Sequence, residues 1–178
     1  MATLLKVPYL VQSDNALNPS GACNVTSIAM CLSYLGYNPD RGNQQLEDFL
    51  YGLCDRYGFD RHSPWGLKDL VECCGYASDT TEQGTLQEIR DAIAAGHPCV
   101  IHGYFTYFGH IIAVAGYDDT GLIVNDPYGE YYDSGYDTHA TGEGLHYSYG
   151  LISRTCSPES EADPQNIWLH RISRRKTA

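Results

Sequence analysis

No run of eighteen apolar residues occurs in this 178-residue chain, so hydropathy offers no membrane span. Residues 1–5 lack the basic region and following apolar stretch of a secretory signal. The expected location is therefore cytoplasmic, with release by lysis of a host cell as the other route to a substrate. No CxxC pair is present, which argues against a redox dithiol and against a standard structural zinc site. Basic residues are scarce: 11 Lys and Arg stand against 22 Asp and Glu, a formal net charge of −11. Phosphate contacts supply most non-specific nucleic-acid affinity, so this balance argues against nucleic acid and anionic membrane as partners. It favours neutral or basic substrates. The sign reverses only at Arg171, Arg174, Arg175 and Lys176, a short basic tail that reads as a solvated terminus or, failing that, a docking element.

An apolar share of 43% and a charged share of 19% are globular composition, not disorder. The length suits one domain over residues 1–178, and no linker or internal repeat divides it. Seven cysteines without a signal segment are expected to be mostly reduced thiols. Tyrosine, at fifteen residues, packs its ring on apolar surface while the hydroxyl seeks a polar partner, which suits a cleft as well as a core edge.

The periodicity changes character along the chain. Asn18-Pro19-Ser20-Gly21 is a turn signal, and Val25, Ile28, Ala29, Leu32 and Leu35 follow at spacings of three and four, an amphipathic helix closed by Gly36. Further helices are expected over residues 43–57, 66–74 and from Thr85, where Thr85-Leu86-Gln87-Glu88 fits a capping box, to Gly96. Residues 99–104, 111–117 and 122–125 are short apolar runs, the last two joined by the turn Asp118-Asp119-Thr120-Gly121. The Gly- and Tyr-rich stretch 128–153 is expected to form an ordered loop lined by Tyr131, Tyr132, Tyr136, Tyr147 and Tyr149, with a closing strand near Leu151. A final strand is expected over 166–172. The class is α+β, a helical part over about 20–96 packed on an antiparallel sheet over about 97–172.

Cys23 falls at the start of the clearest helix, where unpaired N–H groups and the helix dipole favour negative charge and hence a thiolate. His110 precedes an apolar strand, and the following run ends in Asn125-Asp126-Pro127. A hairpin turning near Asp119 returns Asp126 to the end that carries His110, which pairs a base with a carboxylate to orient it. Asn125 is the alternative orienter, but adjacent strand residues face opposite ways. Gln12, ending an extended segment, offers an amide that could join the Cys23 N–H in an oxyanion hole. His97, His102 and Cys99 match no tight metal-ligand spacing, and His139 and His146 lie in the loop-rich region.

The segments Val7-Pro8-Tyr9-Leu10-Val11-Gln12, Pro19-Ser20-Gly21-Ala22-Cys23-Asn24-Val25-Thr26-Ser27, Gly109-His110-Ile111-Ile112-Ala113-Val114-Ala115-Gly116-Tyr117 and Val124-Asn125-Asp126-Pro127-Tyr128-Gly129 together resemble the stand-alone C39-like branch of the papain-like cysteine peptidases. The resemblance implies the papain-like fold, a peptidase reaction through a thioester, and no metal or organic cofactor. It also implies roles for Cys23 as nucleophile, His110 as base, Asp126 as orienter and Gln12 as oxyanion amide. A peptide or peptidoglycan peptide is the expected substrate, and the ten residues separating Gln12 from Cys23 set this chain apart from leader-cutting transporter domains. A transpeptidase or amidase with the same triad, and a non-catalytic peptide-binding module, are the competing readings. Oligomeric state is left open.

Overall fold

The computed structural model describes residues 2–157 and 166–176. In chain order its elements are β1 (Thr3–Leu4), a 3-10 turn (Gln12–Asp14), α1 (Cys23–Tyr34), α2 (Leu46–Tyr57), α3 (Pro64–Cys73), β2 (Tyr76–Gly84) and α4 (Leu86–Ala94). There follow β3 (Cys99–Gly103), β4 (His110–Tyr117), β5 (Gly121–Asn125), β6 (Glu130–Tyr132), β7 (Gly135–Asp137), β8 (Leu145–Ser148), α5 (Tyr149–Cys156) and β9 (Ile167–Arg174). The main sheet runs β2-β9-β3-β4-β5-β8 with β1 also on β4, and every described pairing is antiparallel. A separate hairpin joins β6 to β7. Helices lead and a many-stranded antiparallel sheet follows, the α+β class read from the sequence.

The central strands read as unbroken apolar runs because both faces of the sheet are covered. Alternate residues serve two cores. Val100, Ile111, Ala113 and Ala115 meet α1, α2 and α3. Ile101, Ile112, Val114, Leu122 and Val124 meet α4 and α5. Helix α1 lies between its neighbour helices and the sheet, so all of Asn24 to Leu32 is buried. It is the central helix, led by Cys23, that the resemblance implies, and its buried surface is wider than the single stripe its spacing suggested. Each fully buried Ile or Leu contributes about 1.5–3 kcal/mol, and α1 supplies Ile28 and Leu32 at zero exposure. The capping box of α4 forms as expected, Thr85 accepting from Glu88 N–H while Glu88 accepts from Thr85 N–H.

Three expectations are corrected. The run around Leu151 is helix α5, not a strand: Ser148 caps it by accepting from Leu151 N–H, and Ile152 and Cys156 turn inward one helical turn apart. A strand, β2, lies inside the stretch assigned to helices. The basic tail is docked: Arg171 pairs with Asp79 at 2.8 Å and Glu88 at 2.9 Å, Arg174 donates to Leu35 O, and Arg175 donates to Tyr76 O and Glu72 O.

Candidate active site

Cys23 is the first residue of α1, and no side chain caps that end from the N-cap position, Ala22. The thiol is partly exposed. The preceding segment is tied down from two directions: Ala16 and Leu17 N–H groups donate to Asp48, and the Asn15 amide donates to Thr26 Oγ1. One turn beyond Cys23, on the same helix face, Ser27 donates to Ile111 O at 3.1 Å. That bond sets the helix against the start of β4, where His110 stands.

His110 opens β4 and Asp126 directly follows β5, so the two meet at the open end of the hairpin. The imidazole Nε2 lies 2.7 Å from Asp126 Oδ1, with His110 5% and Asp126 0% exposed. With Nε2 committed, Nδ1 is the nitrogen left to face the Cys23 thiol, which also favours the charged imidazole. Burial alone would lower the imidazole pKa. The Asp126 charge and hydrogen bond, with the Cys23 contact, outweigh it and hold His110 well above the ordinary histidine range.

Asp126 is saturated with donors. Besides His110, its Oδ1 accepts from Tyr128 N–H, and its Oδ2 accepts from the hydroxyls of Tyr136 at 2.8 Å and Tyr147 at 2.9 Å. Burial and the Asp126 charge raise both tyrosine pKa values far above the usual phenol range, so both remain donors. The rings also wall His110: Tyr136 stands edge-on at 5.3 Å, with Phe105 and Tyr128 at 6.1 and 6.0 Å. Sequence reasoning placed these tyrosines in a loop without assigning them to the carboxylate. Their abundance was the only signal. Gly142 permits the loop to lie on Asp126, since a Cβ there would sit 1.8 Å from Asp126 O.

Asn125 is no rival for Asp126. Its amide donates to Val7 O and its carbonyl accepts from Gly144 N–H, so it fastens the N-terminal segment to the hairpin end. The same junction positions Gln12, whose N–H donates to Pro127 O at 2.9 Å. Gln12 opens a 3-10 turn, where an extended segment was expected to end. Its Nε2 donates one hydrogen to Pro19 O, which leaves a second, and its Oε1 is buried without a partner. Gln12, Cys23 and His110 all line one cleft of about 710 Å³.

Among the described residues no three His, Cys, Asp or Glu side chains group as metal ligands, and no helix is long and apolar enough to cross a membrane. All seven cysteines are free, and burial pushes Cys54, Cys99 and Cys156 up to about 12, unlike the environment of a reactive thiol. His97 and His139 take no part in the site; His146 holds Asp118 at the hairpin turn.

Residues 4–157 match the Peptidase_C39 like family. Among solved structures, a Bacillus anthracis protein described as a C39-like peptidase is similar at 15% identity with TM-score 0.61, covering 99% of this chain and 100% of that one. A double glycine motif protease from an AMS/PCAT transporter, in complex with the leader peptide, is similar at 16% identity with TM-score 0.58, covering 97% and 94%. Among curated proteins no sequence matches this chain.

Proposed function

The chain belongs to the Peptidase_C39 like family, and from that premise we propose that it is a thiol hydrolase of peptide or amide bonds working through Cys23, His110, Asp126 and Gln12. Family membership supports a cysteine-peptidase type of hydrolysis in general. The observation that carries the finer reading is that Cys23, at the head of α1, shares one cleft with His110, whose Nε2 meets a fully buried Asp126. We read the chain as one such domain, with the two cores sharing one sheet.

In this reading the Cys23 proton passes to His110 Nδ1, and the imidazolium is stabilised by Asp126. The thiolate sulfur bonds to the substrate carbonyl carbon, whose π pair moves onto oxygen. The oxyanion accepts from the Cys23 N–H and the second amide hydrogen of Gln12. As the carbonyl reforms, the C–N bond breaks and His110 returns its proton to the leaving amine. Water then attacks the thioester, giving its proton to His110, and the C–S bond breaks to release the acid and restore the thiol. The substrate class proposed is a peptide, peptidoglycan peptides included.

Alkylation of each cysteine, followed by peptide mass spectrometry as pH is varied, tests the reading. Cys23 is expected to label rapidly well below about pH 8, with that reactivity lost in His110→Ala. Slow labelling of Cys23 until alkaline pH would overturn the activated pair and leave a peptide-binding module.

A further inference from the structure

The cleft that holds Cys23 has an aromatic wall. On a chain of net charge −11, the described residues lining the cleft include no Asp, Glu, Lys or Arg. Tyr104 and Phe108 from the β3–β4 loop, together with Trp168 from β9, line it while remaining 68%, 93% and 40% exposed. Tyr107, next in the loop and also 93% exposed, stands edge-on to Phe108 at 5.3 Å. Large aromatics held this far into water beside a nucleophile are surface awaiting an apolar ligand.

The floor of this wall is a histidine pair, His102 half-buried and His170 buried. His102, on the cleft, packs edge-on to Trp168 at 5.7 Å and meets His170 with Nε2 to Nε2 at 2.9 Å. The ring centres are 5.1 Å apart, farther than the nitrogens, so the two rings point their Nε2 edges at each other. One nitrogen must donate and the other accept, and the pair shares a single hydrogen. His170 Nδ1 is held in turn by the hydroxyls of Ser78 and Thr80. Burial lowers His102 to about 4 and His170 further below its ordinary value, so neither is a cation at neutral pH.

Resting on the proposed peptidase reading, we infer that Phe108, Tyr104 and Trp168 over His102 form a specificity subsite for a large apolar or aromatic substrate side chain beside the scissile bond. Among the described lining residues a basic side chain finds no carboxylate, against the preference suggested by net charge alone. An anionic membrane is disfavoured as the occupant by that same net charge, whereas the subsite is continuous with the cleft holding Cys23 and His110.

The test uses two peptidyl vinyl sulfones that alkylate Cys23, alike except for phenylalanine or glycine next to the warhead. Each rate is divided by the same protein's iodoacetamide rate. The phenylalanine probe is expected to react at least about tenfold faster, and Phe108→Ala or Trp168→Ala to erase most of that advantage. Phe108 is nearly fully exposed, so its variant folds even if the Trp168 variant does not. Equal rates for the two probes, or an advantage that survives Phe108→Ala, overturn the subsite. A slow iodoacetamide rate reports failure of the Cys23–His110 pair separately. The subsite is then read on Cys23→Ser, in a Trp65→Phe background, from Trp168 fluorescence with N-acetyl-phenylalaninamide and N-acetyl-glycinamide. Tighter binding of the first supports it, and equal binding overturns it.

Discussion

Tyr136 gives its hydroxyl to Oδ2 of Asp126 at 2.8 Å while its ring covers the histidine that the other carboxylate oxygen holds. One side chain thus both satisfies the buried charge and shields the imidazole it orients. A hydrogen bond to a charged group is worth about 1.5–3 kcal/mol, twice or more a neutral one, so this contact matters to the fold as well as to the site.

Tyr136→Phe and Tyr147→Phe are each expected to lower unfolding free energy by about 1.5–3 kcal/mol in urea titrations. Tyr132→Phe, at an exposed position off the carboxylate, stays within about 0.5 kcal/mol. Equal small effects at all three positions would show that Asp126 does not depend on the tyrosines.

Asp126→Asn removes the charge that raises His110. The imidazole titration, followed by NMR, is expected to fall toward the ordinary histidine range. Peptide cleavage should drop by about 10²- to 10⁴-fold, since tautomer and imidazolium support are both lost. An unmoved His110 titration would remove Asp126 from its orienting role.

Gln12→Ala is expected to cut kcat by about 10²- to 10³-fold with little change in KM, because an oxyanion donor acts on the transition state. Gln12→Glu, which supplies no amide hydrogen, should fare no better. A change confined to KM would recast Gln12 as a substrate-binding residue.

The histidine pair has a pH consequence of definite sign. His102 titrates near 4 when folded, against an ordinary value of 6.5, so between these values the unfolded chain binds more protons. Its contribution is therefore intact above about 6.5 and is lost as pH falls toward about 4. In His102→Gln, stability measured across that window should decline less steeply than in the parent. An identical slope would mean that His102 protonates freely in the folded protein.

Local chemistry explains what the sequence made legible. The turn at Asp118 to Gly121 brings His110 and Asp126 to one end because both flanking runs are strongly apolar, and Cys23 follows a turn at the head of a helix. Strand β2 escaped notice because its residues, Tyr76 to Gly84, are largely polar and only Ser78 and Gly84 are buried. The short run at Leu151 fits strand or helix equally by composition, and only the Ser148 cap distinguishes them. The tyrosines on Asp126 and the His102–His170 contact join residues distant in sequence, which no local period encodes.

Strand β9 sits between β2 and β3, pairing Arg174 with Tyr76 and Arg171 with Cys99. On a ribosome both of its neighbours are made before it, although in the finished sheet it lies between them. Trp168 and His170 arrive with it, after Cys23, Tyr104, Phe108 and His110 have all been made, so the aromatic wall gains its last member with this strand. On the proposed reading, a nascent chain therefore carries Cys23 and His110 before Trp168 lines the cleft, and selectivity follows the insertion of β9.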